Sequence, residues 1–565
     1  MQTQTAPTSS ASSTSSSRTT TATTPILISG AGPVGLFQAL LLLKLGLPFR
    51  IIEREPAISP LSKALGLHAR SMEIFRFSGI LDRFLEQGRP LTSFSMHAGG
   101  RTVGTLPVMG TSTEDTEFNY GLFLEQERTS VLLKEMVEEM GVKVEYGWEL
   151  LDTKVVEAEG EEKEAYVETV IRRALSGDNT NPEDNLMIGG VEMYAEQEDK
   201  EYEVQTVRSK YLIACDGGRS TVRHKLNIGF SGRTLGHKTL MADQFVYKNR
   251  IFLAGDAAHI HSPAGGQGLN TGLQDAHNLA WKLAFVVNGL MKDGEGEVLE
   301  TYREREDMAD RAIAVSSMLL EQNRDSRLIA RFVRRALFTV GPYIAKVFKS
   351  FSLASDVSML KVRYQENILN RPHASQPAPL PDYQVGVRAQ DGLISPLLSS
   401  SPSPSSSSST LRLHELFIGI ARFHILVFAS TTQTLTPATV AHATRFISQW
   451  RHKWTYASSL QDGYADKDLF KFHFLTPPCS SSSNNEVLQG LSKNEIGEGK
   501  VFLDEGGKLH KKYGFTPFKS DDEGAGGIVV LRPDSHIGYR VHGLEEQTWK
   551  DADQYLSSVL TAQVE

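Results

Sequence analysis

Near its start the chain reads Pro25-Ile-Leu-Ile-Ser29, then Gly30-Ala31-Gly32-Pro33-Val34-Gly35, then the apolar run Leu36 to Gly46. A buried strand that empties into a glycine turn and a helix admits few folds. Gly30 permits the tight turn, Gly32 lets the backbone approach a pyrophosphate, and Gly35 lets the helix pack close to the sheet. Pro33 and Val34 open a helix whose free N–H groups face an anion. A second apolar strand, Pro48 to Ile52, ends in Glu53, 23 residues after Gly30. An acid there accepts hydrogen bonds from a ribose. The pattern predicts a Rossmann-type α/β domain that binds a dinucleotide; a glycine turn without a ligand is the alternative.

Two later segments repeat the strand-to-turn pattern. Tyr211 to Ser220 (YLIACDGGRS) places Asp216 at a strand end, and reads either as part of a nucleotide site or as an ordinary turn capped by Ser220. Arg250 to Asn270 (RIFLAGDAAHIHSPAGGQGLN) places Asp256 at another strand tip, where it can bind a polyol hydroxyl. The amides of Gly266, Gln267, Gly268, Leu269 and Asn270 form a positive helix start suited to the electron-rich edge of a reduced flavin.

These three motifs, in this order, resemble the FAD-dependent aromatic hydroxylases, and specifically the phenol 2-monooxygenase branch. The resemblance runs over residues 25 to 330 and, more weakly, 380 to 565. It implies FAD held by Gly30, Gly32, Pro33, Val34, Gly35, Glu53, Arg54, Asp216 and Asp256, with Gly266 to Asn270 beside the isoalloxazine ring. It offers Lys63 or Arg70 as partners of an FAD phosphate, or as plain solvated bases. Gln126, which opens an amphipathic helix, matches a cofactor-contacting position, and Pro263 matches a residue lying against the flavin or else simply stiffens its loop. The implied chemistry is NAD(P)H oxidation by the flavin, addition of O2 as a C4a-hydroperoxide, and oxygen transfer to a phenolic or polyketide-like ring. NAD(P)H is implied as a transient co-substrate, since no second GxGxxG appears.

The sequence also departs from the family. Leu65 stands where some members carry an acid that activates the phenol; His68 is the nearest titratable replacement, suited by an unperturbed pKa of about 6.5, or is structural. Leu240 to Asp243 resembles the first strand of the family's substrate-covering sheet, yet Ile251 already begins the next motif strand, with seven residues between. Four strands with turns need about 30 residues or more. Most of the cover is therefore missing, through a shortened paralogue or lost coding sequence, and the clean join favours the second. A non-catalytic flavin-binding remnant or dimerisation partner is the rival reading; a flavin-free NAD dehydrogenase leaves Asp216 and Asp256 without a role.

The 565 residues divide, at about 150 per domain, into three or four units. The first 24 contain 16 Ser or Thr and read as a disordered tail. Residues 25–370 follow as the FAD domain, with an acidic, solvent-exposed insertion at 157–203 and a stub of substrate domain near 236–250. Residues 371–410 read as a linker carrying a Ser-rich tract, and 411–565 resemble the thioredoxin-like end of phenol hydroxylases, which implies a homodimer. That end has no Cys-x-x-Cys. The net charge of −8 excludes the basic surface of a nucleic-acid binder. No apolar run approaches the roughly 20 residues that span a bilayer. Cys215 and Cys479 alone suit a reducing, cytoplasmic compartment, and no histidine or cysteine spacing suggests a metal.

Overall fold

The computed structural model of the chain describes residues 19–62, 64–98, 100–107, 114–159, 164–175, 201–234, 238–263, 265–292, 296–324, 358–373, 384–396, 410–429, 437–454, 468–477, 501–515 and 526–562. The main sheet runs in the order Val246–Tyr247, Ile251–Leu253, Tyr202–Ala214, Thr19–Ser29, Arg50–Glu53, Glu145–Tyr146. From Ile251–Leu253 onward the neighbours are parallel, as the Rossmann reading requires. The helix Pro33–Lys44 buries every residue from Gly35 to Leu42, because it lies between the sheet and the helices Gln126–Glu139 and Gln267–Val287.

Two boundaries in the N-terminal part need correction. Thr19–Thr24, assigned above to the disordered tail, extend the first strand and pair in parallel with Val204–Ser209. Threonine is β-branched and favours strands, so the Ser/Thr composition hid a strand. Within the insertion at 157–203, Tyr166–Ala174 is a strand of the main sheet, antiparallel to both Tyr202–Ala214 and Glu149–Val156. Val167, Thr169 and Ile171 alternate inward, the period of a half-buried strand. Residues 1–18, 176–200 and the Ser-rich tract 399–409 lie outside the described residues.

A short sheet orders Phe230–Thr234, Lys238–Ala242 and His259–Ile260. Between Asp243 and Ile251 the chain forms only Val246–Tyr247, which folds back on Ile251–Phe252. Lys248 and Asn249 make that turn with φ of 50° and 52°. The join thus closes as a tight hairpin, with no further strand of a substrate-covering sheet in it. Two small sheets lie elsewhere: a ribbon of Ser93–Ala98 with Arg101–Pro107, and a three-stranded sheet ordered Gly66–Leu67, Gly121–Phe123, Arg89–Leu91.

The C-terminal sheet orders Leu411–Arg412, Leu393–Pro396, Val501–Asp504, Phe470–Thr476, Phe423–Phe428, Gly527–Leu531, Ile537–His542. Phe470–Thr476 and Phe423–Phe428 are parallel and the last two strands antiparallel, the arrangement of the expected thioredoxin-like unit. Leu393–Pro396 pairs with Phe502–Asp504, so this part of the 371–410 linker belongs to the C-terminal core instead. Among the described residues no helix is long and apolar enough to cross a membrane, and no group of three or more metal-ligating side chains occurs.

Candidate functional site

The glycine turn has the geometry its residues predict. Gly30 adopts φ +101°, and a Cβ on it would lie 2.3 Å from the Cys215 carbonyl oxygen. A Cβ on Gly35 would lie 2.0 Å from the Gly30 oxygen. At Gly32 a Cβ would meet nothing within 4 Å, so this glycine faces open space in front of the helix it caps. Glu53 folds its carboxylate onto the turn: Oε2 accepts from the Ala31 N–H at 2.7 Å and Oε1 from the Glu55 N–H at 3.0 Å.

Asp216 follows the strand that pairs with Thr19–Ser29. Its Oδ2 accepts from the Val222 N–H at 3.2 Å, while Oδ1 is buried with no hydrogen-bond partner. Burial raises this carboxyl. Ser220 caps the helix Thr221–Lys225, as its sequence position suggests. Arg223 in that helix donates to the Gly218 and Ala257 carbonyls, both at 2.8 Å, and its guanidinium carbon lies 3.6 Å from the Phe230 ring centroid. It therefore ties the Asp216 turn to the Asp256 turn.

Gly255 turns with φ +61°, leaving the Asp256 side chain exposed. Behind this turn, Asp275 Oδ2 accepts from the Gly255 N–H at 3.0 Å and bonds His259 Nε2 at 2.7 Å, while Oδ1 accepts from Arg305 Nε at 2.8 Å. Burial raises the Asp275 carboxyl, but His259 and Arg305 together outweigh it and hold the group down at about 2. A carboxyl whose folded pKa is depressed stabilises the fold above its unfolded value and loses that contribution as pH falls through the folded one. Wild type is thus expected to lose about 2 kcal/mol relative to Asp275→Asn between about pH 5 and pH 2. Denaturant titrations of both proteins across that range measure the difference; a constant difference would contradict the ionised network.

The helix Gln267–Val287 begins at Gly266, φ +63°. Asn270 organises its first turn: Oδ1 accepts from the His68 N–H at 2.8 Å and the Ser71 hydroxyl at 2.7 Å, and Nδ2 donates to the carbonyls of Gly66 and Gly266. A Cβ on Gly266 would lie 3.4 Å from His68 Nε2. The structure thus brings His68 beside the Gly266 turn. Pro263 is exposed on the approach to it, with its carbonyl accepting from the Gly266 N–H. A Cβ on Gly268 would also meet nothing within 4 Å. Gln126 starts its helix as expected, its N–H shared between Ser62 Oγ and the Ala64 carbonyl, both at 3.0 Å.

One expectation fails. Arg70 is 1% exposed and spends its guanidinium on Glu73, the Asp534 carbonyl and Ser535 Oγ, so it faces the C-terminal domain and not a phosphate. Arg54 is exposed and bonds Glu55. Lys63 lies outside the described residues. Sequence reading missed Arg223, Asp275 and Arg305. Asp275 had a signal, a lone acid in the apolar part of its helix; Arg305 had none, because Arg303-Glu304-Arg305-Glu306 looks like a solvated charge run.

Comparison with known proteins adds the following. The FAD binding domain family matches residues 23–174, 188–244 and 231–316, two of these segments overlapping just before the short join. The phenol hydroxylase C-terminal dimerisation domain matches residues 362–564. The 6-methylpretetramide 4-monooxygenase of Streptomyces rimosus is 31% identical over 401 residues, covering 61% of this chain and 68% of that protein. The pentachlorophenol 4-monooxygenase of Sphingobium chlorophenolicum is 27% identical over 330 residues, covering 49% and 60% respectively. In fold, the chain is similar to the flavin-dependent monooxygenase PieE in complex with FAD and substrate (TM-score 0.61, 17% identity, 95% of this chain and 99% of that one). Aklavinone-11 hydroxylase with FAD and aklavinone is also similar (TM-score 0.61, 17% identity, 95% and 98%).

Proposed function

Because this chain belongs to the FAD-dependent aromatic monooxygenases, with a phenol hydroxylase-type dimerisation domain at its C-terminal end, we propose that it uses NAD(P)H and dioxygen to hydroxylate a phenolic or polyketide-like aromatic compound. The observation that carries the reading is the set of glycines at the strand ends and the Gly266 helix start, which we read as a cradle: a Cβ on Gly32, Gly217 or Gly268 would meet nothing within 4 Å, and the buried Asp216 Oδ1 lacks a partner. These residues fit FAD. Gly30 to Gly35 would hold its pyrophosphate, Glu53 its adenosine ribose, Asp216 and Asp256 its polyol portion, and Gly266 to Asn270 its isoalloxazine edge, with Gln126 at the periphery.

When bound, FAD would take electrons from NAD(P)H and activate dioxygen for transfer to the ring. The chain's own residues do the rest. Glu53, whose carboxylate accepts from the Ala31 and Glu55 N–H groups, would also accept from the ribose hydroxyls. Arg223 keeps the Asp216 and Asp256 turns in register. His68, its Nε2 beside Gly266, takes the phenol proton and so makes the ring a better nucleophile. The C-terminal domain joins two such chains as a homodimer.

Purified protein supplied with NADPH or NADH and a phenolic substrate is expected to oxidise the cofactor in step with a hydroxylated product. Flavin-loaded protein that consumes NAD(P)H and releases only hydrogen peroxide would refute the reading.

A further inference from the structure

The turn between Gly527–Leu531 and Ile537–His542, the last two strands of the C-terminal sheet, is buried along its whole length. Arg532, Asp534, Ser535 and His536 are each 2% exposed or less. A hairpin turn ordinarily lies at the surface, where water satisfies its backbone. This one takes partners from the N-terminal part of the chain instead. Arg70 Nη2 donates to the Asp534 carbonyl at 2.9 Å and to Ser535 Oγ at 3.1 Å. Ser535 also holds φ +60°, a left-handed conformation that an L residue keeps only where its surroundings impose it.

Arg70 lies in the first turn of the helix Ala69–Phe77, beside Ser71. While Arg70 reaches the hairpin, Ser71 donates to Asn270 Oδ1, so this one turn of helix links the hairpin to the start of the helix Gln267–Val287. The hairpin grips that second helix as well, two turns beyond Asn270, where Asn278 Nδ2 donates to Asp534 Oδ2 at 3.3 Å. Asn270, Gln274, Asn278 and Lys282 recur every fourth residue, which places them on one face, and all four are buried. A third contact runs through His536, whose ring lies 4.3 Å from that of Tyr364. The Tyr364 hydroxyl accepts from Arg305 Nη1 at 3.3 Å, and Arg305 Nη2 donates to the Thr271 carbonyl at 3.2 Å, one residue past Asn270.

The two helices thus start side by side at the Gly266 turn, fastened there by Asn270, and both are held by one hairpin of the C-terminal unit. We propose that the Arg532–His536 turn is a strut for the Gly266 turn, and that Arg70 and Ser535 are positioning residues that keep His68, Asn270 and Gly266 in the arrangement facing the isoalloxazine edge. The cofactor side of the proposal rests on the FAD assignment of that turn. Arg70 and Ser535 act through Ser71 and Asn270, without touching the cofactor. The C-terminal unit then has a task within its own chain besides joining two chains.

Hydrogen exchange resolved along the full-length protein, with and without FAD, tests the strut. Arg70→Met leaves Glu73 paired with Arg388 at 3.1 Å and with Thr116 at 2.9 Å, so it strands no carboxylate. It is expected to speed exchange about tenfold in residues 265–272, which hold no hydrogen-bond partner of Arg70. Ser535→Gly keeps the left-handed backbone and removes only the hydroxyl, and is expected to speed it about threefold. The double variant should match Arg70→Met alone, because Ser535 acts through Arg70. Ile447→Val, in the buried face of the helix Pro437–Lys453, lowers stability elsewhere and should leave 265–272 as in wild type. In the FAD-loaded protein, Arg70→Met is expected to shift the visible flavin band as well.

Unchanged exchange at 265–272 in both Arg70→Met and Ser535→Gly would overturn the strut, and so would an equal rise in Ile447→Val. If Arg70→Met does not fold, Ser535→Gly decides. Faster exchange with an unmoved flavin band would reduce the contact to a structural one and overturn its positioning role. A wild type that takes up no FAD would instead fail the cofactor reading, and the exchange pattern would still decide the strut.

Discussion

Gly32→Val is expected to purify folded and colourless. A Cβ at this position meets nothing within 4 Å in the protein itself, and the backbone is extended, at φ −69° and ψ −179°, so valine is tolerated by the fold. The added methyls instead enter the space where the FAD pyrophosphate would lie. The neighbouring glycines behave differently: a Cβ on Gly30 or Gly35 would collide with backbone oxygens at 2.3 and 2.0 Å, so substitution there damages the turn itself. Gly32→Val should lower FAD affinity by about a hundredfold or more, about 2.7 kcal/mol, with an unchanged circular dichroism spectrum and unfolding midpoint. Asp256→Ala should act in the same direction and more weakly, because it removes one polar partner and no backbone contact. Full FAD occupancy in both variants would refute the site.

Arg532→Met is expected to cost about 3–5 kcal/mol of stability, the range for stranding a buried charge. Arg532 is fully buried and binds Glu304 at 2.6 and 3.1 Å, Asp534 at 2.6 Å and Asn370 at 2.7 Å. Glu304 also accepts from Lys282 at 2.8 Å. Burial raises the Glu304 carboxyl, but Arg532 and Lys282 outweigh it and hold it well below the usual range. Burial in turn draws the Lys282 ammonium down to about 8. Methionine in place of Arg532 leaves two carboxylates with one ammonium in a site that water does not reach. The cluster joins the helix Gln267–Val287, which supports the cradle, to the C-terminal sheet. Its loss should therefore lower the denaturant midpoint of both parts together. The double variant Arg532→Met, Glu304→Met should recover part of the loss, since it removes the stranded charge. A cost below about 1 kcal/mol for Arg532→Met would contradict the account.

Arg532, Glu304 and Lys282 also illustrate what the sequence conceals. Each is an ordinary charged residue in its local segment, and only the meeting of segments some 230 residues apart buries them. Arg70 misled for the same reason: it follows the glycine motif where a phosphate partner is expected, but the C-terminal turn at Asp534 and Ser535 claims its guanidinium. What the sequence states plainly is local. The strand, glycine turn and helix at Gly30 to Gly35, the acid at Glu53 and the helix start at Gly266 depend on neighbours within a few residues, and each folds as its pattern indicates. The shortened join was legible too, because seven residues cannot hold a sheet. The strand at Thr19–Thr24 was not, because threonine serves equally in disordered tails and in strands.

The central claim is oxygen transfer to an aromatic ring by a chain whose covering sheet is short. Turnover of the FAD-loaded protein with NAD(P)H and a phenol under isotopically labelled dioxygen, followed by mass analysis of the product, tests it directly. The account predicts one labelled oxygen atom in the hydroxylated ring, with NAD(P)H consumed in proportion. Labelled hydrogen peroxide with unmodified phenol, or oxygen incorporated from water, would contradict it.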